Sequence, residues 1–256
     1  KVIAIDIGGT NTELGVVDSE NGIVEVASFK TKNATSFDNY IERLLNNIKS
    51  LTVNHDIQSI GIGAPNFDSK SNEFRPVNFP WNDLRPFNLK SFVEKNLNIS
   101  TYVVNDANAA ALAENRFGIG KKYPSFIMVT IGTGLGGAIV INNKLFDGAF
   151  GYSGEFGHTK VDHLNRQCNC GSVGCLETIV SANGIKKTYS LNTKNISGVA
   201  PEQLPTVKEI FTRANQKDAV SIVKMNKALA LETESITLDD QVIALGVAHC
   251  LKDSAK

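Results

Sequence analysis

Residues 1–10, KVIAIDIGGT, contain the strand and the glycine turn from which the rest of the fold follows. The β-branched side chains up to Ile7 predict a strand over residues 1–7. Two more runs of this kind predict strands over 13–18 and 23–29, with turn residues between them. The chain therefore opens with three strands in a hairpin run.

After this run, helical and strand patterns alternate along the chain. The predicted helices cover residues 37–51, 89–97, 106–117, 176–187, 206–214, 217–232 and 240–252. The predicted strands cover residues 57–63, 101–104, 125–131 and 135–142, whereas 65–87 is predicted as loop and 190–205 as a surface connection. This order predicts an α/β fold with two lobes, mixed sheets and a hinge near Asn105.

The charge balance and hydropathy exclude several classes of protein. There are 26 basic and 26 acidic residues, so no excess of positive charge predicts nucleic-acid binding. No apolar run reaches the roughly 18–20 residues that a membrane span needs. Because a strand pattern begins at the first residues, no signal peptide is expected, and the sequence predicts a cytoplasmic protein.

The turn after the first strand carries groups suited to phosphate. Glycine lets backbone N–H groups approach an anion closely, and successive N–H groups form a nest for phosphate oxygens. A carboxylate at the strand end can hold Mg²⁺ through water. The residues concerned are Asp6, Gly8, Gly9 and Thr10. A plain hairpin turn with a solvated aspartate is the alternative interpretation.

A second glycine turn, TIGTGLGG over residues 130–137, lies between two predicted strands. Gly132, Thr133 and Gly134 repeat the small residues and the hydroxyl of the first turn. One glycine motif is weak evidence, and no Gly-Lys-Ser/Thr follows, so this is not a P-loop. Two such turns, one opening each lobe, are better explained by two loops that clamp one polyphosphate.

Asn105 and Asp106 stand where a predicted strand passes into a predicted helix. Asp is a good helix cap, and capping is one interpretation of Asp106. The other is catalysis, in which Asp106 accepts the proton of an attacking hydroxyl. Phosphoryl transfer depends mainly on positioning and charge neutralisation, so one carboxylate with Mg²⁺ and loop amides suffices.

Three of the four cysteines fall between residues 168 and 175. Cys168, Cys170 and Cys175 together with His158 make a complete tetrahedral Zn²⁺ shell without an open position for water. The sequence therefore predicts a structural zinc ion rather than a catalytic one. His163 is a rival for the fourth ligand, and three buried thiols without metal are the alternative.

These motifs resemble the ROK family (repressors, open reading frames and kinases), clearly over residues 1–190 and loosely beyond. The resemblance rests on DIGGT at 6–10, NDANAA at 105–110, the Gly-Thr-Gly turn, EFGH at 155–158 and CNCGSVGCLE at 168–177. It implies a two-lobed actin-like ATPase (ribonuclease H-like) fold with an interlobe cleft. The implied lobes are residues 1–104, completed by a C-terminal helix at about 240–256, and residues 105–239 with the zinc site.

The resemblance also implies a hexose kinase that uses ATP and Mg²⁺ and carries Zn²⁺. It implies that Asp106 is the base for the sugar 6-hydroxyl and that the protein is a homodimer. Asn105, Glu155, His158 and Glu177 are implied sugar ligands, with one ring nitrogen of His158 on zinc and the other facing the sugar. Asn78, before Trp81, is implied as a further sugar contact.

Two positions depart from the family pattern. Asn66 replaces the glycine of the family's Gly-x-Gly-x-Pro-Gly loop, and Asn tolerates the left-handed backbone better than most residues. The strand and triple-glycine turn that the family uses for adenosine have no counterpart near residues 232–236. A true deletion there would compromise the adenine site.

Three functions are consistent with the sequence. The first is a kinase that phosphorylates a hexose at the 6-hydroxyl, glucose before mannose, fructose or an N-acetylated amino sugar. The second is a sugar-sensing regulator of the same family, for which no helix-turn-helix segment or basic surplus is seen ahead of the first glycine turn. The third is a sugar-binding protein that has lost ATP.

Overall fold

The computed structural model describes residues 1–77, 79–81, 85–161, 165–191 and 205–215. The chain divides into two compact units. The first consists of Lys1–Phe126 and Ile139–Ser153, and the second of Ile127–Ala138 and the chain from Gly154 onward. The lobe boundary after residue 104 and the completing helix at 240–256 stay predictions, because that helix lies outside the described residues.

Ten strands and six α-helices are assigned within the described residues. The strands are β1 (Val2–Ile7), β2 (Asn11–Asp18), β3 (Gly22–Lys30), β4 (Ser59–Ala64), β5 (Phe67–Asp68), β6 (Glu73–Phe74), β7 (Ser100–Asn105), β8 (Phe126–Ile131), β9 (Leu135–Ile141) and β10 (Lys144–Leu145). The helices are α1 (Phe37–Val53), α2 (Leu89–Leu97), α3 (Asp106–Arg116), α4 (Glu177–Val180), α5 (Ala182–Leu191) and α6 (Val207–Asn215). None of these helices is long and apolar enough to cross a membrane.

The first unit contains a five-stranded sheet in the order β3-β2-β1-β4-β7. The first three strands are antiparallel, which confirms the predicted hairpin run, and β4 and β7 run parallel to β1. Alternate residues of β1, namely Ile3, Ile5 and Ile7, are buried in the core. Since parallel strands end at the same edge of a sheet, the chain segments after β1, β4 and β7 all leave from one edge.

Helix α1 buries the face that its apolar spacing predicts, including Leu44 and Ile48, in the same core as β1. Tyr40 from this face is fully buried, and its hydroxyl lies 3.1 Å from Oγ1 of Thr12 on β2. The helix begins after Ser36, whose Oγ accepts a hydrogen bond from the N–H of Asn39 at 3.1 Å. A side-chain cap of this kind satisfies one of the free N–H groups at a helix start.

Replacing Ser36 by Ala is expected to lower the free energy of unfolding by about 1 kcal/mol, because the amide of Asn39 loses its partner. Urea denaturation followed by circular dichroism measures the change. Ser50→Ala is the matched control, since Ser50 lies on the same helix and donates only to the carbonyl of Asn47. Equal losses in the two variants would contradict the capping role.

The structure differs from the sequence prediction between residues 65 and 87. This segment was predicted as loop, but β5 and β6 form a short antiparallel pair there, and Phe74 bridges to Phe87. Aromatic rings hold the segment on the core, with Phe79 and Trp81 stacked at 5.1 Å and Trp81 stacked on Tyr40 at 5.0 Å. Burial of these rings, rather than any periodicity, therefore orders the segment.

The helix predicted over 176–187 is two helices, because Ser181 adopts an extended backbone (φ −67°, ψ 165°). The Oγ of Ser181 accepts from the N–H of Gly184 at 3.1 Å and so caps α5. The predicted helix 206–214 is confirmed as α6. Its start is a capping box in which Thr206 and Glu209 each bond the other's backbone N–H. The helices predicted at 217–232 and 240–252 lie outside the described residues.

Candidate functional site

The glycine turn between β1 and β2 belongs to the first unit and is tight. The N–H of Gly8 donates to the carbonyl of Asn11 at 2.9 Å, and a Cβ at position 8 would lie 2.8 Å from that oxygen. Gly9 has open space around it, and Gly9 and Thr10 are exposed. The amide of Gly8 is thus engaged, and the exposed residues Gly9 and Thr10 are those whose amides an anion can approach.

Asp6, Asn105 and Asp106 lie at one edge of the five-stranded sheet. Asp6 is paired in register with Gly63 of β4, and Gly63 with Val104 of β7. Gly63 is packed against α3: a Cβ there would lie 3.7 Å from Cα of Asp106. The parallel register therefore carries the predicted Mg²⁺ ligand and the predicted base to the same edge.

Asn105, rather than Asp106, is the N-cap of α3. Its Oδ1 accepts from the N–H groups of Ala107 and Asn108 at 2.9 and 3.2 Å. Asp106 is the first residue of the helix, and its Oδ1 accepts from Ala107 at 2.8 Å. Because the Oδ1 of Asn105 caps the helix, Asp106 is not required as the N-cap. With its Oδ1 engaged, Asn105 can offer its Nδ2 group to a ligand.

Both carboxylates at this edge have raised pKa values, and the charge of Asp106 contributes to the rise at Asp6. The pKa of Asp6 is raised by desolvation, by the charge of Asp106 and then by that of Glu13. The pKa of Asp106 is also raised, chiefly by desolvation, against the lowering effect of its backbone hydrogen bonds. Both side chains still reach solvent. A cation would relieve the repulsion, and a raised pKa strengthens Asp106 as a proton acceptor.

The second glycine turn belongs to the second unit, where it links β8 to β9. The N–H of Gly132 donates to the carbonyl of Gly134 at 3.0 Å, and the carbonyl of Gly132 accepts from Ala182 at 2.9 Å. The Nδ2 of Asn183 reaches the carbonyl of Thr133 at 3.5 Å. The start of α5 therefore holds this turn from one side.

Glu177 holds the same turn from another side. Its Oε2 accepts from the N–H of Leu135 at 2.8 Å, directly after the turn. A Cβ at position 134 would overlap this carboxylate, so a larger residue there requires the Glu177 side chain to move. The family resemblance implied that Glu177 is a sugar ligand, but this contact was not predicted, since nothing in the motif pairs Glu177 with Leu135.

A substitution of Gly134 by Ala is therefore expected to displace the Glu177 carboxylate. The N–H of Leu135 would lose its partner, and the free energy of unfolding should fall by about 1–3 kcal/mol. Gly132→Ala is the control, because a Cβ at position 132 meets nothing within 4 Å. Chemical denaturation measures the free energy of unfolding of both variants. Similar values would show that the packing of the Glu177 carboxylate against Gly134 does not contribute to stability.

The predicted zinc ligands come together in the second unit. One ligand atom from each of His158, Cys168, Cys170 and Cys175 lies within 4.8 Å of all the others. Nδ1 of His158 is 3.7 Å from Sγ of Cys168, and Sγ of Cys170 is 3.6 Å from Sγ of Cys175. Zn–S bonds of about 2.3 Å in a tetrahedron place sulfur atoms about 3.8 Å apart, so the donor set fits zinc in type and spacing. The rival His163 lies outside the described residues.

The local backbone explains why these residues converge. Cys168 and Cys175 are buried and Cys170 is exposed, with Gly171 between them at φ 89°. The N–H of Gly171 donates to the carbonyl of Cys168 at 3.1 Å, which closes the turn around the cluster. Burial raises the pKa of Cys168 to about 12. Burial also acts to raise the pKa of Cys170, but hydrogen bonds from Ser172 and the neighbouring thiols outweigh it and lower this pKa to about 7. Cys170 therefore readily offers the thiolate that zinc binds.

His158 turns its second nitrogen away from the cluster. Its Nε2 lies 3.7 Å from Oε2 of Glu155, and both side chains are solvent-exposed. A one-turn 3₁₀ helix over Phe156–His158 places them, and its Gly157 fits tightly against the backbone of Leu135. Nδ1 on the thiol side and Nε2 beside a carboxylate is the arrangement that fixes a histidine tautomer at a metal.

The loop after β4 keeps the turn expected of it despite its asparagine. Asn66 has a left-handed backbone (φ 54°), which confirms that Asn substitutes for glycine here. Its Nδ2 donates to the carbonyl of Val77 at 3.1 Å and its own carbonyl accepts from Arg75 at 3.3 Å. Asn78, the predicted sugar contact, lies outside the described residues.

Comparison with known proteins identifies the group to which these motifs belong. The model of the ROK family matches residues 2–252. A glucokinase from Streptomyces coelicolor is 38% identical over 185 residues, which are 72% of this chain and 57% of the relative. The chain thus spans little more than half the length of that protein. A xylose repressor from Caldicellulosiruptor bescii is 34% identical over 162 residues, 58% of this chain and 40% of the relative.

Solved structures show the same relationship. A ROK family glucokinase from Streptomyces griseus, in complex with glucose and AMPPNP, is 32% identical with a TM-score of 0.72, over 90% of this chain and 76% of that one. This similarity confirms the fold class predicted from the motifs, the actin-like ATPase fold of ROK kinases. The family match extends over nearly the whole sequence, and its range includes every motif that first suggested it. The chain belongs to the ROK family.

Proposed function

We propose that the protein transfers the γ-phosphoryl group of ATP to the 6-hydroxyl of a hexose, with glucose the foremost candidate. The observation that carries the proposal is the placement of Asp6, the Gly8–Thr10 turn and Asp106 at one edge of the five-stranded sheet. The glucokinases among the relatives support the same reaction and the same sugar.

Asp106 is proposed as the general base. It accepts the proton of the sugar hydroxyl, while the oxygen forms its bond to the γ-phosphorus and the bond from phosphorus to the departing ADP oxygen breaks. The raised pKa of Asp106 supports this role, because a stronger base takes the proton more readily. The remaining catalytic contribution is alignment of the two reactants, which fixed side chains supply.

The other residues are proposed to bind and orient. Asp6 would hold Mg²⁺, which supplies charge neutralisation at the phosphates, and its accessible carboxylate fits a hard cation. The two glycine turns offer their N–H groups to phosphate oxygens. His158 and the three cysteines would hold a structural Zn²⁺. The sugar hydroxyls are assigned to Asn78, Asn105, Glu155, His158 and Glu177.

A coupled assay of ADP release over a sugar panel tests the proposal. The panel contains glucose, mannose, fructose, N-acetylglucosamine and N-acetylmannosamine, each with ATP and Mg²⁺. Turnover with glucose above the others is expected. The absence of turnover with any sugar, in a zinc-loaded protein that binds sugar by calorimetry, would refute the kinase assignment.

That negative result would favour the second candidate, a sugar-sensing regulator without catalysis, which the similarity to a xylose repressor supports. We also propose a homodimer, as the family resemblance implies, and a cytoplasmic location, as the sequence pattern predicts. Light scattering after size-exclusion chromatography and cell fractionation test these two points. With a formal net charge of zero, binding to nucleic acid or an anionic membrane is not expected.

A further inference from the structure

One carboxylate in the second unit contacts both the thiol cluster and the second glycine turn. Oε2 of Glu177 accepts from the N–H of Leu135 at 2.8 Å, and Oε1 lies 3.7 Å from Sγ of Cys168. The two oxygens of one side chain thus face two different functional elements. Glu177 is partly buried, so water competes less for these contacts than at an open surface.

Glu177 contacts the turn closely, and two further contacts from the same segment of the chain lie beside it. The carboxylate occupies the space that a Cβ at position 134 would fill. The same helical segment meets the turn twice more, through the N–H of Ala182 and the side chain of Asn183. The turn is therefore shaped by the α4–α5 segment rather than by β8 and β9 alone.

The chain segment between the cluster and Glu177 is short and is held by hydrogen bonds within it. Cys175 is a ligand candidate, and Glu177 follows two residues later as the first residue of α4. The carbonyl of Cys175 accepts from both the N–H of Thr178, at 2.9 Å, and the Oγ1 of Thr178, at 2.7 Å. These bonds tie the start of α4 to Cys175, so fixing the sulfur also fixes the base of the Glu177 side chain.

We propose that Glu177 is a positioning residue that couples the His158–Cys175 cluster to the Gly132–Gly134 turn. Metal at the cluster orders the turn through Glu177, and an anion on the turn strengthens retention of the metal. The coupling deepens the proposed function, because it takes the turn as a phosphate-binding element. Linkage requires that each ligand change the affinity of the other by the same factor.

Hydrogen exchange of the Leu135 amide, followed by two-dimensional NMR, tests the coupling without any nucleotide. Zinc-loaded and chelator-treated wild-type protein are compared, with the Ala138 amide of the same strand as the internal reference. Zinc is expected to slow exchange at Leu135 by about fivefold or more relative to Ala138, the lower range of measured couplings. An equal ratio of the Leu135 to the Ala138 exchange rate with and without zinc would overturn the proposal. This test needs only the wild-type protein and so does not depend on the folding of any variant.

Two variants separate coupling from simple support. In Glu177→Ala the zinc dependence at Leu135 should fall below about twofold, although the four ligands and hence the metal content remain. In Asn183→Ala, which removes a turn contact that does not approach the cluster, exchange of the turn should quicken with its zinc dependence intact. A Glu177→Ala protein that keeps the full zinc dependence would show that the coupling runs by another route.

Titration with a non-hydrolysable ATP analogue then distinguishes this inference from the proposed function. Wild-type protein should bind the analogue about fivefold or more tightly with zinc than without, and Glu177→Ala should not show the difference. If the analogue fails to bind while the exchange coupling is present, the kinase proposal fails and the coupling stands. If it binds equally with and without zinc, the functional half of the coupling is refuted and the kinase proposal stands.

Discussion

Asp106→Asn is expected to reduce turnover by about 10²–10⁴-fold, the usual contribution of a general base, while sugar binding stays within a factor of about two. Asn has the shape of Asp but cannot accept a proton. Its oxygen can still accept from the N–H of Ala107, so the start of α3 is preserved. Steady-state kinetics and calorimetric titration with the sugar measure the two quantities.

The raised pKa of Asp106 also predicts how Asp106→Asn changes the free energy of unfolding. A folded-state pKa above the unfolded value means that the ionised carboxylate is disfavoured by the fold. This cost is absent below the unfolded pKa and fully present above the folded pKa, so stability falls as the pH rises through that window. Asp106→Asn removes the cost, and its unfolding free energy at neutral pH should equal or exceed that of the wild type.

The pH dependence of turnover provides an independent check. Activity should decline as the pH falls through the pKa of Asp106, which is raised from the ordinary value of aspartate, because protonated Asp106 cannot act as a base. Asp18→Asn is the control: Asp18 is a partly exposed carboxylate that accepts from the N–H groups of Glu20 and Asn21 in a turn. A variant of Asp106 that keeps turnover within tenfold of the wild type, at unchanged zinc content, would remove Asp106 from the base role.

The fold was predictable wherever periodicity or turn chemistry is explicit. The strands β1, β4 and β7 and the helix α2 lie within two residues of their predicted bounds, since continuous β-branched runs and amphipathic spacing specify them locally. The break at Ser181 was not predicted, because a serine in a helical pattern becomes a cap only when its backbone turns extended. The β5–β6 pair was missed because distant rings, not local pattern, order that segment.

The site was predictable to the level of residue types that chemistry requires. Three closely spaced thiols beside an imidazole have few uses other than a metal, so the convergence of the cysteines was predictable, although spacing alone left His158 and His163 as rivals. Which of Asn105 and Asp106 caps α3 could not be predicted from the sequence, because both residue types are good caps and the position at which the helix begins decides between them. Likewise, the contact from Glu177 to Leu135 joins residues far apart in sequence, and only packing shows it.

Cys175→Ser is expected to lose the metal and to cause the largest loss of stability among these substitutions. Cys175 is fully buried beside Cys170, and serine is a poor zinc ligand that would leave three donors around a site built for four. At free zinc a thousandfold above its Kd, loss of binding to the folded state removes about 4 kcal/mol. At about 2–4 °C per kcal/mol, the midpoint of thermal unfolding should fall by about 8–16 °C.

Metal content by plasma mass spectrometry and thermal unfolding with and without a chelator measure this effect. Chelation should lower the Tm of the wild type to near that of Cys175→Ser and leave the variant almost unchanged, because linkage acts only through a site that binds. Asn169→Ser, an exposed change in the same loop, should keep its metal and its Tm. A wild-type Tm that is insensitive to the chelator, after the metal has been shown to leave, would mean that the cluster folds without zinc and that its role is not structural.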